Sequence, residues 1–151
     1  MASRSACSPG AGVFQLDLHQ FSRDPAVVRA GLEDPLVYQG AAGARTAREL
    51  LGAIAEIQDH MEDVTVPLLA MHGAADRVTP PEGSKALVSR ARSTDKTLKI
   101  YPGLSHDLLH EPEKEQVMAD LVKWLSDHAP PRAQAAEPPK ASPTDTPPAK
   151  P

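Results

Sequence analysis

The sequence is short of cysteine, of long apolar runs and of any excess of base, and each shortage removes a class of protein. Its one cysteine, Cys7, can close no internal disulfide and has no metal-ligand companion, which suits a reducing compartment without requiring one. No run of about 18 apolar residues occurs, so no segment reads as a transmembrane helix. The formal charge is -4, with acids and bases interspersed. That leaves no basic stripe to attract a phosphate backbone, and nucleic acid is not an expected partner. There is no internal repeat.

What remains is 151 residues, 40% of them hydrophobic, enough for one modest domain. The ends contribute little to it. Residues 129–151 are dominated by Pro, Ala, Lys, Ser and Thr and carry almost no large apolar side chain, so they cannot offset the entropy of ordering and read as a disordered tail. Residues 1–19 read as a flexible N-terminus. Met1 to Gly12 are small, Ser-rich and free of acids, a composition shared by plastid transit peptides and by untethered termini.

Between these ends the pattern changes once. Residues 20–62 look helical and irregular: Asp24 is placed to cap a helix with Pro25 at its first position, and Asp34-Pro35 interrupts it. From Thr46 onward Ala47, Leu50, Leu51, Ile54 and Ile57 recur at helical spacing, giving one apolar face that is expected to cover something apolar. Residues 63–128 instead alternate. Leu68 to Met71, between Pro67 and Gly73, reads as a strand buried on both faces, and a helix opened by Pro80-Pro81 carries Ala86, Leu87, Val88 and Ala91. Thr97 to Tyr101 reads as a second strand stopped by Pro102-Gly103. A last helix from about Glu113 to His128 puts Val117, Leu121, Trp124 and Leu125 on one side. Strand, helix, strand, helix implies an α/β fold with a parallel sheet.

In such sheets functional groups gather beyond the carboxyl ends of the strands. Asp76 follows the first strand in His72-Gly73-Ala74-Ala75-Asp76, and His106 follows the second in Pro102-Gly103-Leu104-Ser105-His106. One helix and one strand separate them, so both loops should leave the same sheet edge. A carboxylate there can hold an imidazole in one tautomer and stabilise the imidazolium. Taken singly, each has a plainer reading: Asp76 as a turn former or as the cap of the helix after Pro80, His106 as a surface residue.

The blocks Val64 to Thr79 and Ser93 to Glu111 together resemble the carboxyl-terminal part of monoacylglycerol lipases, members of the α/β-hydrolase superfamily alongside lysophospholipase-like and caffeoylshikimate-esterase-like relatives. Ser22 to Arg29 and Asp34-Pro35-Leu36 resemble the cap that lies over the acyl-binding cleft. The resemblance implies the C-terminal part of an α/β-hydrolase core (63–128) preceded by a cap or lid (20–62), with Asp76 as triad acid and His106 as triad base. It also implies a small-molecule lipid ester as substrate, no cofactor and no metal, with the Ile54 and Ile57 face a candidate for peripheral membrane contact. A cytoplasmic or membrane-peripheral location follows.

The family's Gly-x-Ser-x-Gly elbow is not found in the sequence. The nearest spelling, Ala6-Cys7-Ser8-Pro9-Gly10, follows no strand, and Pro9 lacks the N–H that the residue after the nucleophile must donate to the oxyanion. Ser105 sits in no strand-turn-helix elbow and reads as a loop hydroxyl. The expectation is therefore a partial serine hydrolase, inactive alone and in need of further strands. The competing expectation is a non-catalytic relative that binds a lipid or a partner protein. His19 and Asp24 spell the His-x4-Asp pattern of glycerolipid acyltransferases, but Asp24 already has work as a helix cap. His72 reads as the end of a strand rather than a ligand, and His60, His110 and His128 have no metal-ligand spacing.

Overall fold

The computed structural model describes residues 11–129. Cys7, Ser8 and the Pro-rich tail beyond Ala129 lie outside the described residues.

Two small sheets organise the chain. Strand β1 (Gly12–Phe14) pairs antiparallel with β2 (Ala42–Gly43), and β3 (Leu68–Gly73) pairs parallel with β4 (Lys96–Tyr101). Among the described residues four α-helices accompany them: α1 (Pro25–Glu33), α2 (Ala44–Asp59), α3 (Glu82–Arg90) and α4 (Lys114–His128). The α/β expectation holds in the order β3, α3, β4, α4, where register runs evenly from Leu68 opposite Lys96 to Gly73 opposite Tyr101. Equal register matters for function, because both strands end at the same level and release their loops side by side.

Local chemistry explains several boundaries. Asp24 caps α1 by accepting from the Ala26 N–H at 2.8 Å, with Pro25 at the first helical position. Pro81 precedes α3, which begins at Glu82 and ends at Arg90, so Ala91 leaves the helix and is buried behind it. Helix α2 begins at Ala44, two residues before the predicted start, because the β1–β2 pairing carries the chain straight into it through an Ala44 N–H to Ala11 carbonyl bond of 2.9 Å. That pairing itself was not legible: Gly12–Phe14, read as part of a flexible terminus, and Ala42–Gly43 are too short to alternate.

The core lies under the carboxyl edge of the parallel sheet. Tyr101, Leu104 and Val117 are buried together, with Met71 and Leu108 packed on them. Tyr101 also donates its hydroxyl to Asp120 on α4 at 2.9 Å, so burial first and the Asp120 carboxylate second push its phenol well above the ordinary range.

Two expectations are corrected. The strand β3 is not buried on both faces: Leu68, Leu69 and Met71 are half-covered and Val66 just before it is exposed. Nor does the apolar face of α2 cover anything among the described residues, since Leu50, Leu51, Ile54 and Ile57 all stand in solvent. Both follow from sheet size, because two strands offer neither a second neighbour nor a broad face for a helix to cover.

Candidate active site

The site starts from a glycine. Gly73 ends β3 where the loop after β4 crosses it, and a Cβ there would stand 2.2 Å from the Ser105 carbonyl oxygen and 2.3 Å from that of Leu104. Only a residue without a side chain allows this approach. The two loops are then laced by backbone bonds, Ala74 N–H to Tyr101 carbonyl and Ala75 N–H to Leu104 carbonyl, each 2.9 Å. The turn that swings Leu104 back into the core passes through Gly103 at φ +77°, a conformation costly for other residues.

These constraints bring Asp76 and His106 into contact. His106 Nδ1–H donates to Asp76 Oδ2 at 2.9 Å, and the Asp76 side chain is 2% exposed. The carboxylate is heavily supplied with donors. Oδ1 accepts from the Val78 and Thr79 N–H groups at 2.8 and 3.0 Å, and Oδ2 also accepts from the Thr79 hydroxyl at 2.9 Å. Burial alone would raise its pKa, yet the Thr79 N–H, His106, the Thr79 hydroxyl and the Val78 N–H outweigh burial and hold it at about 2. Asp76 is therefore an anion at neutral pH and can only accept. This fixes the His106 proton on Nδ1 and leaves Nε2, which has no hydrogen-bond partner among the described residues, as the atom able to take a proton. A cleft of about 170 Å³ lies beside the pair, lined by Met71, His72, Asp76, Thr79, His106 and Leu108.

The reading of Asp76 as a cap of the following helix is replaced by a local turn, since its oxygens bond Val78 and Thr79 and α3 has no side-chain cap.

Four residues at this site were not singled out from the sequence. Thr79 closes the Asp76 turn, a three-residue spacing that was open to notice. His72, read only as the end of a strand, approaches Asp76 Oδ2 through Nε2 at 3.1 Å. Glu111 is buried, accepting from the Ser105 N–H at 2.9 Å and from Arg23 Nε at 2.8 Å. Phe21 meets the His106 ring edge-on with centroids 4.9 Å apart, and its carbonyl accepts from the Asp107 N–H at 2.8 Å. Nothing local in the sequence announces these last contacts.

Other candidates separate from the site. Ser105 serves the loop through its N–H, Asp24 is spent on α1, and His60 and His110 pair with Asp63 and Asp107 nearby in sequence. His128 bonds the Trp124 carbonyl and Asp95. Among the described residues no group of three His, Cys, Asp or Glu side chains is placed to hold a metal ion.

Comparison with known proteins bears on the same segments. A family model described as serine aminopeptidase, S33, a hydrolase family, matches residues 3–113. The chain belongs to this family. Within the serine aminopeptidase, S33 group it is similar to the monoacylglycerol lipase of Mycolicibacterium smegmatis, 42% identical over 80% of this chain and 43% of that protein. It is also similar to the caffeoylshikimate esterase of Arabidopsis thaliana, 39% identical over 70% of this chain and 32% of that one. The solved monoacylglycerol lipase of Paleococcus ferrophilus superposes with a TM-score of 0.74 at 30% identity, over 83% of this chain and 49% of that chain. The fold is thus that of a monoacylglycerol-lipase-like α/β-hydrolase, of which the chain spans less than half the length of these relatives.

Proposed function

We propose that this chain supplies the acid and the base of a serine ester hydrolase of the monoacylglycerol lipase type. The single observation behind this is the 2.9 Å contact that fixes the His106 proton on Nδ1 and leaves Nε2 at the cleft. His106 Nε2 takes the proton of a serine hydroxyl as its oxygen attacks the ester carbonyl, then returns it to the departing glycerol oxygen. Asp76 orients the imidazole and stabilises its cation. The attacking serine is supplied by a segment outside the 151 residues, which cover 43% of the Mycolicibacterium smegmatis lipase.

Residues 20–62 act as the cap over the acyl chain. A cavity of about 560 Å³ beside them, lined by Leu16, Leu18, Phe21, Leu32, Val37 and Tyr38 among others, suits an apolar occupant. The exposed face of α2 rests on a membrane surface, which makes the protein membrane-peripheral.

The test is complementation. The purified chain is treated with a serine-directed fluorophosphonate probe and with a monoacylglycerol, alone and combined with the part of the Mycolicibacterium lipase that precedes its matched region. Labelling and hydrolysis are expected only in the combination, with hydrolysis abolished by His106→Ala. Labelling of the chain alone would place a nucleophile within it. A labelled combination whose hydrolysis survives His106→Ala would remove His106 from the role of base.

A further inference from the structure

A second imidazole, that of His72, holds the turn on which the Asp76 carboxylate is built. His72, the fifth residue of β3, brings Nε2 to 2.8 Å from the Thr79 carbonyl and 3.1 Å from Asp76 Oδ2. Nε2 carries a hydrogen in either charge state of the ring, directed at the Thr79 carbonyl, with the Asp76 carboxylate beside it as a close charge. Its other nitrogen, Nδ1, lies 2.7 Å from the Ser84 hydroxyl on α3, which donates to it when the ring is neutral. The side chain is 14% exposed, so water competes little for these bonds. A series of hydrogen bonds therefore runs from Ser84 on α3 through His72 to the Thr79 carbonyl, and from the Thr79 N–H and hydroxyl through Asp76 to His106.

We propose that His72 is a positioning residue for the Asp76–His106 pair, tying the Thr79 turn that supplies Asp76 with donors to Ser84 on α3. Its significance for ester cleavage rests on the hydrolase reading above. The physical argument is one of support: Asp76 accepts from the Thr79 N–H and hydroxyl, and the Thr79 carbonyl is held in turn by the His72 Nε2–H. Withdrawing the His72 donor leaves the Thr79 carbonyl without its partner, so the turn that carries both Thr79 donors loosens and the bond from His106 to Asp76 changes with it.

The test is side-chain NMR on the full chain with nitrogen-labelled histidine, comparing the unaltered protein with His72→Leu and His72→Gln. Leucine removes the donor, whereas the glutamine amide can place an N–H near the position of Nε2. Neutral His72 is expected as the Nε2–H tautomer. The His106 Nδ1–H resonance is expected to shift in the Leu variant and to return toward its original position in the Gln variant. The opposite tautomer of His72, or an unmoved His106 resonance in a folded Leu variant, would overturn the proposal. Should the Leu variant be unfolded by circular dichroism, the Gln variant decides: a retained His106 resonance supports the positioning role and its loss refutes it. None of these readouts needs a nucleophile, so failure of the hydrolase reading and failure of this one are told apart.

Discussion

Arg23 and Glu111, 88 residues apart in the chain, are joined at 2.8 Å, with the Glu111 side chain wholly withdrawn from solvent. The pair fastens the segment leading into α1 onto the loop that carries His106. Glu111 also accepts from the Ser105 N–H next to that histidine, and Ser22 adds a hydroxyl bond of 2.9 Å to the His110 carbonyl. The position of His106 is thus set from outside its own strand.

Replacing Glu111 by Ala leaves the Ser105 N–H without its acceptor and Arg23 without its buried partner. The expected loss is about 2–3 kcal/mol, below the value for a fully buried pair because Arg23 is partly exposed. Glu111→Gln, which keeps an acceptor oxygen, should lose less. Chemical denaturation midpoints at matched slope measure both.

Gly73→Ala tests the crossing of the two loops. A Cβ at 2.2 Å from backbone oxygen forces the 104–105 segment to move, at about 1–3 kcal/mol. The same displacement should separate His106 from Asp76, seen as loss of the His106 Nδ1–H resonance. A variant of full stability with that resonance intact would show that the loop has room to spare.

Acid stability should carry the mark of Asp76. Its folded pKa of about 2 lies below the ordinary 3.8, so the stabilisation is complete above pH 4 and is lost as pH falls from there toward 2. The difference corresponds to about 2 kcal/mol. Asp76→Asn should lower stability at neutral pH and flatten the dependence in that window, as read by urea titrations at stepped pH.

The face of α2 offers a contrast, since nothing among the described residues packs on it. Ile54→Glu and Ile57→Glu are expected to change folding stability by no more than about 0.5 kcal/mol while reducing co-sedimentation with phospholipid vesicles. A large loss of stability instead would mean that the face is covered.

The elements that were legible in the sequence are those whose signals lie within a few residues. Asp24-Pro25 announces the start of α1, and the apolar run before Gly73 announces β3. The two loops at the carboxyl ends of β3 and β4 bring Asp76 and His106 to one edge by connectivity alone, before any side chain is placed. Thr79 stood at a turn spacing beside Asp76. His72 and Glu111 did not stand out, because a histidine ending a strand and a glutamate in the loop before a helix have ordinary local explanations.

The sequence by itself thus determined the secondary structure of residues 63–128 and the edge from which Asp76 and His106 emerge, because hydrogen-bonding period and turn chemistry act locally. Only the tertiary structure decided that Gly73 must be bare, that Arg23 meets Glu111, that His72 holds the Thr79 carbonyl beside Asp76, and that the apolar face of α2 stays uncovered. Those outcomes depend on which distant surfaces come together as the chain closes, and neighbouring residues carry no record of that choice.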